Sequence, residues 1–197
     1  FANTTGNYNN AMGVRALTAN TTGSSNVAIG TSALASNTTS SNNTAVGRDT
    51  LQANTGTGST ALGAEALLAN TTVSANTAVG YQAARNTTTG DAATAVGSYA
   101  LTANTTGAAN TSVGKFALTA NTTGSGNTAL GSNALQTSAT TNFNVAIGYL
   151  ASTLSTGHSN TVVGTYAADS MTTGFTNVVI GYDAGGYTNN ITTGADN

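Results

Sequence analysis

Residues 26–34 read Asn-Val-Ala-Ile-Gly-Thr-Ser-Ala-Leu, and near-copies of this stretch return along the whole chain. Its glycine, which we call the anchor glycine, recurs at Gly13, Gly30, Gly47, Gly63, Gly80, Gly97, Gly114, Gly131, Gly148, Gly164 and Gly181. The step is 17 residues, except for two steps of 16 residues that begin at Gly47 and Gly148. So short a period is typical of a solenoid in which one repeat forms one coil. The sequence predicts one repetitive segment over residues 1–197, with about 11 coils.

Composition excludes several functions. The chain has four Lys and Arg, six Asp and Glu and a net charge of -2, so it lacks the basic patch that binds nucleic acid. No apolar run approaches the roughly 18 residues of a membrane span. Cysteine is absent, which excludes disulfides and thiolate metal sites and agrees with an extracellular location. Both ends fall inside a repeat, so we expect an excerpt of a longer fibre protein.

A bulky apolar residue stands directly before each anchor glycine. Together with the mostly β-branched residue two positions earlier, it is expected on one face of a short strand, Asn-Thr-Ala-Val-Gly. We predict that this face points inward. The predicted core ladder is Ile29, Val46, Leu62, Val79, Val96, Val113, Leu130, Ile147, Val163 and Ile180.

Between those two positions lies an almost invariant alanine, which alternation then places on the outer side. A solvent-exposed position has no need to be so uniformly small, whereas the close approach of another backbone excludes bulk. We therefore predict a homotrimer whose subunit contact includes Ala28, Ala45, Ala61, Ala78, Ala95, Ala129 and Ala146.

The rest of each coil supplies a second core column and a turn. Leucine stands four residues after most anchor glycines, at Leu17, Leu34, Leu51, Leu67, Leu101, Leu118 and Leu135. The coil then closes through Asn-Thr-Thr-Gly, a sequence that favours turns over helix. Because like residues stack in successive coils, Asn and Thr side chains are expected to form hydrogen-bonded ladders. The Asn-x-Thr sequons in these turns, such as Asn20 and Asn104, are interpreted as structural.

The first and second positions after each anchor glycine hold most of the charged and aromatic residues. We predict that these two positions form a solvent-facing edge. Their rings either stack on glycans or cover neighbouring coils and the subunit seam. The residues predicted as glycan contacts are Tyr81, Tyr99, Phe116, Tyr149, Tyr166 and Tyr182.

Catalytic and metal sites find little support. Asp49 and Glu65 occupy one column a coil apart, and so about 5 Å from each other, but no third polar partner recurs. We interpret this pair as a solvated edge and the single histidine, His158, as a surface residue. The prediction is that the chain is not an enzyme and uses no metal and no cofactor.

The motif Asn-Thr-Ala-Val-Gly-x-x-Ala-Leu resembles the head repeats of trimeric autotransporter adhesins and the repeat arrays of phage-type tail fibres. The best matches are residues 26–34, 76–84 and 144–151. The resemblance implies a left-handed parallel β-roll of three chains side by side, extracellular and often adhesive.

Three classes of function follow. The leading hypothesis is a structural segment of an extracellular fibre with an adhesive role, on a cell surface or, as a phage tail-fibre shaft, on a virion. Its partners are copies of itself, in a trimer or an end-to-end filament, and surface glycans or host surfaces. Ice binding or glycan binding by the solenoid is the alternative; adjacent threonines such as Thr21 and Thr22 point to opposite sides if extended, which disfavours ice. A polysaccharide-degrading enzyme is disfavoured by the scarcity of carboxylates.

Overall fold

The structure, a computed structural model, describes residues 2–72 and 74–185. This part of the chain contains eleven three-residue strands and no helix. They are β1 (Asn10–Met12), β2 (Val27–Ile29), β3 (Thr44–Val46), β4 (Thr60–Leu62), β5 (Thr77–Val79), β6 (Thr94–Val96), β7 (Thr111–Val113), β8 (Thr128–Leu130), β9 (Val145–Ile147), β10 (Thr161–Val163) and β11 (Val178–Ile180). All pair in parallel and in chain order within one sheet. The predicted all-β parallel solenoid, with coils of about 17 residues, is confirmed, with strands shorter than the five-residue motif suggested.

The two 16-residue coils, which begin at Gly47 and Gly148, are one residue shorter in the turn and not in the strand. In a standard coil the amide of Asn20 donates to the carbonyl of Gly23, three residues on. In the short coil the amide of Asn54 donates to the carbonyl of Gly56, two residues on. Strand register is therefore kept, and Thr44 pairs with Thr60 as directly as Thr77 pairs with Thr94.

After each strand the chain makes a tight turn that carries the leucine inward. In the sixth coil, the amide of Ala100 donates to the carbonyl of Gly97 over 3.2 Å, and Tyr99 and Leu101 both have positive φ. A left-handed conformation costs a non-glycine residue roughly 1–2 kcal/mol. Full burial of a leucine contributes roughly 1.5–3 kcal/mol, and Leu101 is completely buried. Burial of Leu101 therefore offsets the cost of its own backbone conformation.

The interior is lined by the middle residue of each strand from β2 to β11 and by the leucine column. The predicted core ladder is wrong: the residues before the anchor glycines face outward and are exposed or half-buried. These are Ile29, Val46, Leu62, Val79, Val96, Val113, Leu130, Ile147, Val163 and Ile180. The leucine column, by contrast, is buried as predicted.

The narrow cross-section of the coil explains the reversal. At the one strand where serine replaces the middle alanine, the hydroxyl of Ser112 donates to the carbonyl of Ala117 on the opposite wall over 2.8 Å. The space inside the strand therefore holds about one heavy atom beyond Cβ. Alanine fits this space, and valine, isoleucine or leucine does not unless the opposite wall gives way.

The last two coils illustrate that exchange of volume. There the middle strand residues are Val162 and Val179, both buried, and the leucine position holds Ala168 and Gly185. In these two coils a larger side chain in the strand is accompanied by a smaller residue at the leucine position.

Two columns of buried asparagine supply the polar part of the interior. Before the strands, the side-chain oxygen of Asn110 accepts from the backbone amide of Asn127 over 3.0 Å, and that of Asn127 accepts from Asn144 over the same distance. The side-chain amide of Asn127 donates to the carbonyl of Thr141 over 2.7 Å. Burying an amide is costly unless it is hydrogen-bonded, and the stacking of coils meets that requirement. The predicted asparagine ladders are confirmed.

The second asparagine column lies in the Asn-Thr-Thr-Gly turns. The side-chain amide of Asn121 donates to the side-chain oxygen of Asn104 and to the carbonyl of Gly124. The sequon nitrogens thus point into the protein, which agrees with their structural interpretation. In the next coil Ser138 replaces asparagine, and the side-chain oxygen of Asn121 has no hydrogen-bond partner among the described residues.

Candidate interaction surfaces

The first candidate surface is the outward side of the parallel sheet, which we call the outer face. It is formed by the first and third residues of each strand. The third residues are the bulky apolar column, and Leu62 and Leu130 expose 48% and 46% of their surface. At the start of the sheet, where all three residues of β1 are exposed, Asn10, Ala11, Met12, Val27 and Ile29 line a depression. No charged residue stands at either outward position of the described strands.

The predicted subunit contact lies elsewhere than expected, inside the coil. Its members are completely buried within a single chain and cannot touch another subunit: Ala28, Ala45, Ala61, Ala78, Ala95, Ala129 and Ala146. The physical reason is the same narrow interior, because a column of small residues is required where two walls of one chain meet. The prediction that large side chains are excluded at these alanines was correct. The neighbouring backbone that excludes them belongs to the same chain and not to another subunit.

A row of threonines runs along the outer face beside the apolar column. Strand pairing aligns Thr44, Thr60, Thr77, Thr94, Thr111 and Thr128 in register. Their hydroxyls form no hydrogen bond with the described part of the chain. Threonines in the turns behave differently, since the hydroxyl of Thr105 donates to the carbonyl of Thr122 in the next coil. The strand hydroxyls are therefore available to a partner or to water.

The second candidate surface is the edge that follows the anchor glycines, where charged residues form an ion-pair cluster. Arg48 forms ion pairs with Asp49 and Glu65. Arg85 reaches Glu65 over 2.9 Å, and the side chain of Gln82 donates to the same carboxylate. Sequence reasoning missed Arg85, which lies five residues after its anchor glycine. The signal was present, because that column holds polar side chains that reach back one coil, such as Thr102 to the carbonyl of Gln82.

This cluster bears on the pair of carboxylates considered for catalysis. Hydrogen bonds from Arg85, Arg48 and Gln82 lower the pKa of Glu65 to about 2. A carboxylate held ionised in this way cannot donate a proton near neutral pH, which is what a glycosidase acid must do. Asp49 and Glu65 are brought together as predicted, with Arg48 between them, and the arrangement is that of a structural ion-pair cluster.

The depressed pKa of Glu65 predicts a pH-dependent stability. A group with a lowered pKa stabilises the folded state above its unfolded value and loses that contribution as pH falls toward its folded value. Stability should therefore decrease between about pH 4.5 and about pH 2 on account of Glu65. Chemical unfolding across this range should show a smaller decrease for Glu65→Gln. Asp91→Asn is the control, since Asp91 forms no ion pair in the described residues; equal slopes for both variants would contradict the assignment.

Aromatic residues continue the same edge as two separate ladders. In the first, Tyr99 and Phe116 are stacked, with ring centroids 5.2 Å apart and planes 14° apart. The ammonium of Lys115 lies 4.9 Å from the centroid of Phe116. Tyr81 meets Tyr99 edge to face at 5.3 Å. Tyr99 and Phe116 thus cover each other, the structural alternative to glycan contact, whereas Tyr81 exposes 43% of its surface.

The second ladder contains edge-to-face contacts without a stacked pair. Tyr149, Tyr166 and Tyr182 succeed one another with centroid distances of 5.5 Å and 6.2 Å and planes at 82° and 90°. Tyr149 and Tyr182 expose 47% and 77% of their surface. The second ladder therefore keeps ring surface open to solvent.

The remaining predicted surface features are simple. The ring nitrogen Nδ1 of His158 accepts from the backbone amide of Asn142 over 3.0 Å on an exposed turn. Among residues 2–72 and 74–185, no group of three or more histidines or carboxylates is placed to hold a metal ion. In the same ranges no helix is long and apolar enough to cross a membrane.

Comparison with known protein families, with curated proteins and with solved structures finds no match to this chain. The resemblance to adhesin head repeats and tail-fibre arrays thus remains a prediction from the motif.

Proposed function

We propose that this chain is a rigid segment of an extracellular fibre, displayed on a cell or virion surface, and that copies associate side by side through the outer face. The observation that carries the proposal is the exposed column of valine, isoleucine and leucine on an aligned sheet. The interior of the coil is complete without it. Soluble proteins rarely leave a continuous apolar stripe in water unless it contacts a partner.

A second copy of the same chain fits this surface by symmetry and by chemistry. The outer face has no charged residue among the described strands, as in the core of a protein interface. Parallel copies would place each apolar column against the apolar column of a neighbour. The unpaired hydroxyls of the strand threonines would then find partners across the contact. The motif resemblance supports three chains, which we adopt as the proposed stoichiometry.

The area of the outer face limits the affinity between two copies of the chain. Eleven coils spaced about 4.8 Å apart, each with a strand about 10 Å long, give a face of about 500 Å². A standard interface buries about 800 Å² per partner. Two such segments are therefore expected to associate weakly. The affinity should rise with the number of coils, which is the behaviour expected of a fibre shaft.

We expect Val79→Lys with Val96→Lys to abolish self-association, because two ammonium groups per chain would be buried in an apolar contact. At high protein concentration, sedimentation should give about three times the chain mass of 19.2 kDa for the native protein and the single-chain mass for the variant. The matched control is Thr89→Lys with Thr106→Lys, which adds the same charge on exposed turns of the same coils. A native protein that stays at the single-chain mass at high concentration would contradict the proposal.

Ice is the alternative partner of the outer face. One structural observation supports ice binding, which the sequence disfavoured. The strand threonines point outward in register with free hydroxyls, unlike the adjacent turn threonines Thr21 and Thr22, whose side chains were expected on opposite sides. A monomeric chain that shows thermal hysteresis, with the activity lost in Val79→Lys with Val96→Lys, would assign this face to ice and reject self-association.

A further inference from the structure

The second aromatic ladder differs from the first in what its rings are free to contact. Tyr99 and Phe116 turn their faces on each other, and Lys115 occupies further ring surface. Tyr149, Tyr166 and Tyr182 meet at nearly right angles, so none stacks face to face with the next. The hydroxyls of these three tyrosines form no hydrogen bond with the described residues. The second ladder thus offers both ring surface and free phenol groups.

The backbone holds this ladder in place before any ligand arrives. The amide of Tyr166 donates to the carbonyl of Tyr149 over 2.9 Å, and the amide of Asp183 donates to the carbonyl of Thr165 over 3.0 Å. Tyrosine side chains have few rotatable bonds, and edge-to-face contact between neighbours restricts them further. Binding here would therefore need little ordering of the protein.

The spacing and the charge of the site indicate its ligand. Tyr149 and Tyr182 are two coils apart, which is a rise of about 9.6 Å, close to the repeat of an extended β-1,4-linked disaccharide. Aromatic rings present an apolar face to the C–H face of a sugar and a polar hydroxyl to its oxygens. The chain has no lysine or arginine after Lys115, while Asp169 and Asp183 lie near this ladder in sequence. An anionic ligand would find no cation in these coils.

We infer that Tyr149, Tyr166 and Tyr182 form a binding strip for a neutral β-1,4-linked pyranose chain that lies along the solenoid axis. The inference goes beyond the fibre role and does not rest on self-association, since it concerns the edge and not the outer face. It narrows the predicted glycan contacts to the second ladder. Tyr99 and Phe116 are assigned to packing between coils, and Tyr81 is a single exposed ring without the three-ring series of the second ladder.

The test is calorimetric titration of the native protein with cellohexaose and with chitohexaose, and with a heparin hexasaccharide as the anionic comparison. We expect saturable binding of a neutral hexasaccharide, weakened about tenfold or more by Tyr149→Ala with Tyr182→Ala. Tyr99→Ala, which removes a covered ring, should leave the affinity within about twofold. Circular dichroism confirms that the variants keep the native β-structure.

Three results would overturn the inference. They are the absence of binding to either neutral hexasaccharide, an equal loss in Tyr99→Ala, and tighter binding of the heparin hexasaccharide. Each is distinguishable from a failure of the fibre proposal, because the oligomer mass is measured separately and does not depend on these tyrosines.

Discussion

Gly97→Ala is expected to destabilise the solenoid severely, whereas the same substitution at Gly58 is expected to be mild. Gly97 has a φ of +134°, a conformation that residues with a side chain rarely adopt. A methyl group there would lie 2.6 Å from the carbonyl oxygen and 2.7 Å from the carbonyl carbon of Gly114 in the next coil. Backbone strain of about 1–3 kcal/mol adds to this overlap. Because backbone cannot move aside cheaply, we expect a total loss above about 4 kcal/mol.

Gly58 makes a stringent control because it also has a positive φ, of +69°. An added methyl group would meet nothing within 4 Å. The equivalent turn position in later coils already holds alanine with similar backbone, at Ala75 and Ala92. Urea unfolding followed by circular dichroism measures both variants. Similar midpoints for Gly97→Ala and Gly58→Ala would show that the coils are not stacked as described.

A broken coil should have effects beyond its own residues. In a solenoid each coil contacts only its neighbours, so stability is approximately a sum of coil and interface contributions. Gly97→Ala disrupts the interface between the sixth and seventh coils, near the middle of the array. The unfolding transition is then expected to broaden, as the two halves lose their shared stabilisation.

The period, the parallel pairing and the leucine column could be predicted from the sequence, because each depends on local chemistry that repeats. Glycine, Asn-Thr-Thr turns and β-branched residues recur at fixed spacing, and stacked coils are the arrangement that satisfies all of them. The asparagine ladders followed from the same argument. These predictions required only that like residues lie above like residues.

The direction in which each strand faces could not be predicted in the same way. Alternation along a strand of the type Thr94–Val96 allows two solutions, with Ala95 inside or outside. Bulky residues are usually inside, and that prior favoured the wrong solution. The width of the interior determines which strand residues face inward. That width depends on the geometry of the turns, which cannot be predicted from any single residue. The distance from Ser112 to Ala117 records that width.

The geometry of the aromatic edge could be predicted only in part. Tyr99 and Phe116 both stand two residues after their anchor glycines, and their rings are stacked. Tyr149 stands one residue and Tyr166 two residues after theirs, and these rings are perpendicular. Ring orientation depends on neighbours such as Lys115, which covers Phe116. The offset from the anchor glycine thus distinguishes the stacked pair from the perpendicular pairs, but it does not give the exposed fraction of each ring.

The second large effect is expected from Ala95→Asp, which places a carboxylate in a fully buried column. Ala95 lies between Ala78 and Ser112 in neighbouring strands, where the interior has room for little more than a methyl group. An unpaired buried charge and the added volume together should cost more than about 4 kcal/mol. The next residue, Val96, is half-buried on the outer face. Val96→Asp should change the stability of the single chain by about 1 kcal/mol or less.

The most direct test of which side of the sheet is the interior is therefore the far-ultraviolet circular dichroism of these two adjacent variants. The structure predicts that Val96→Asp keeps the native β-spectrum, as a less associated chain, and that Ala95→Asp loses it. A native spectrum for Ala95→Asp together with an unfolded Val96→Asp would contradict the account, and would place the valine column inside.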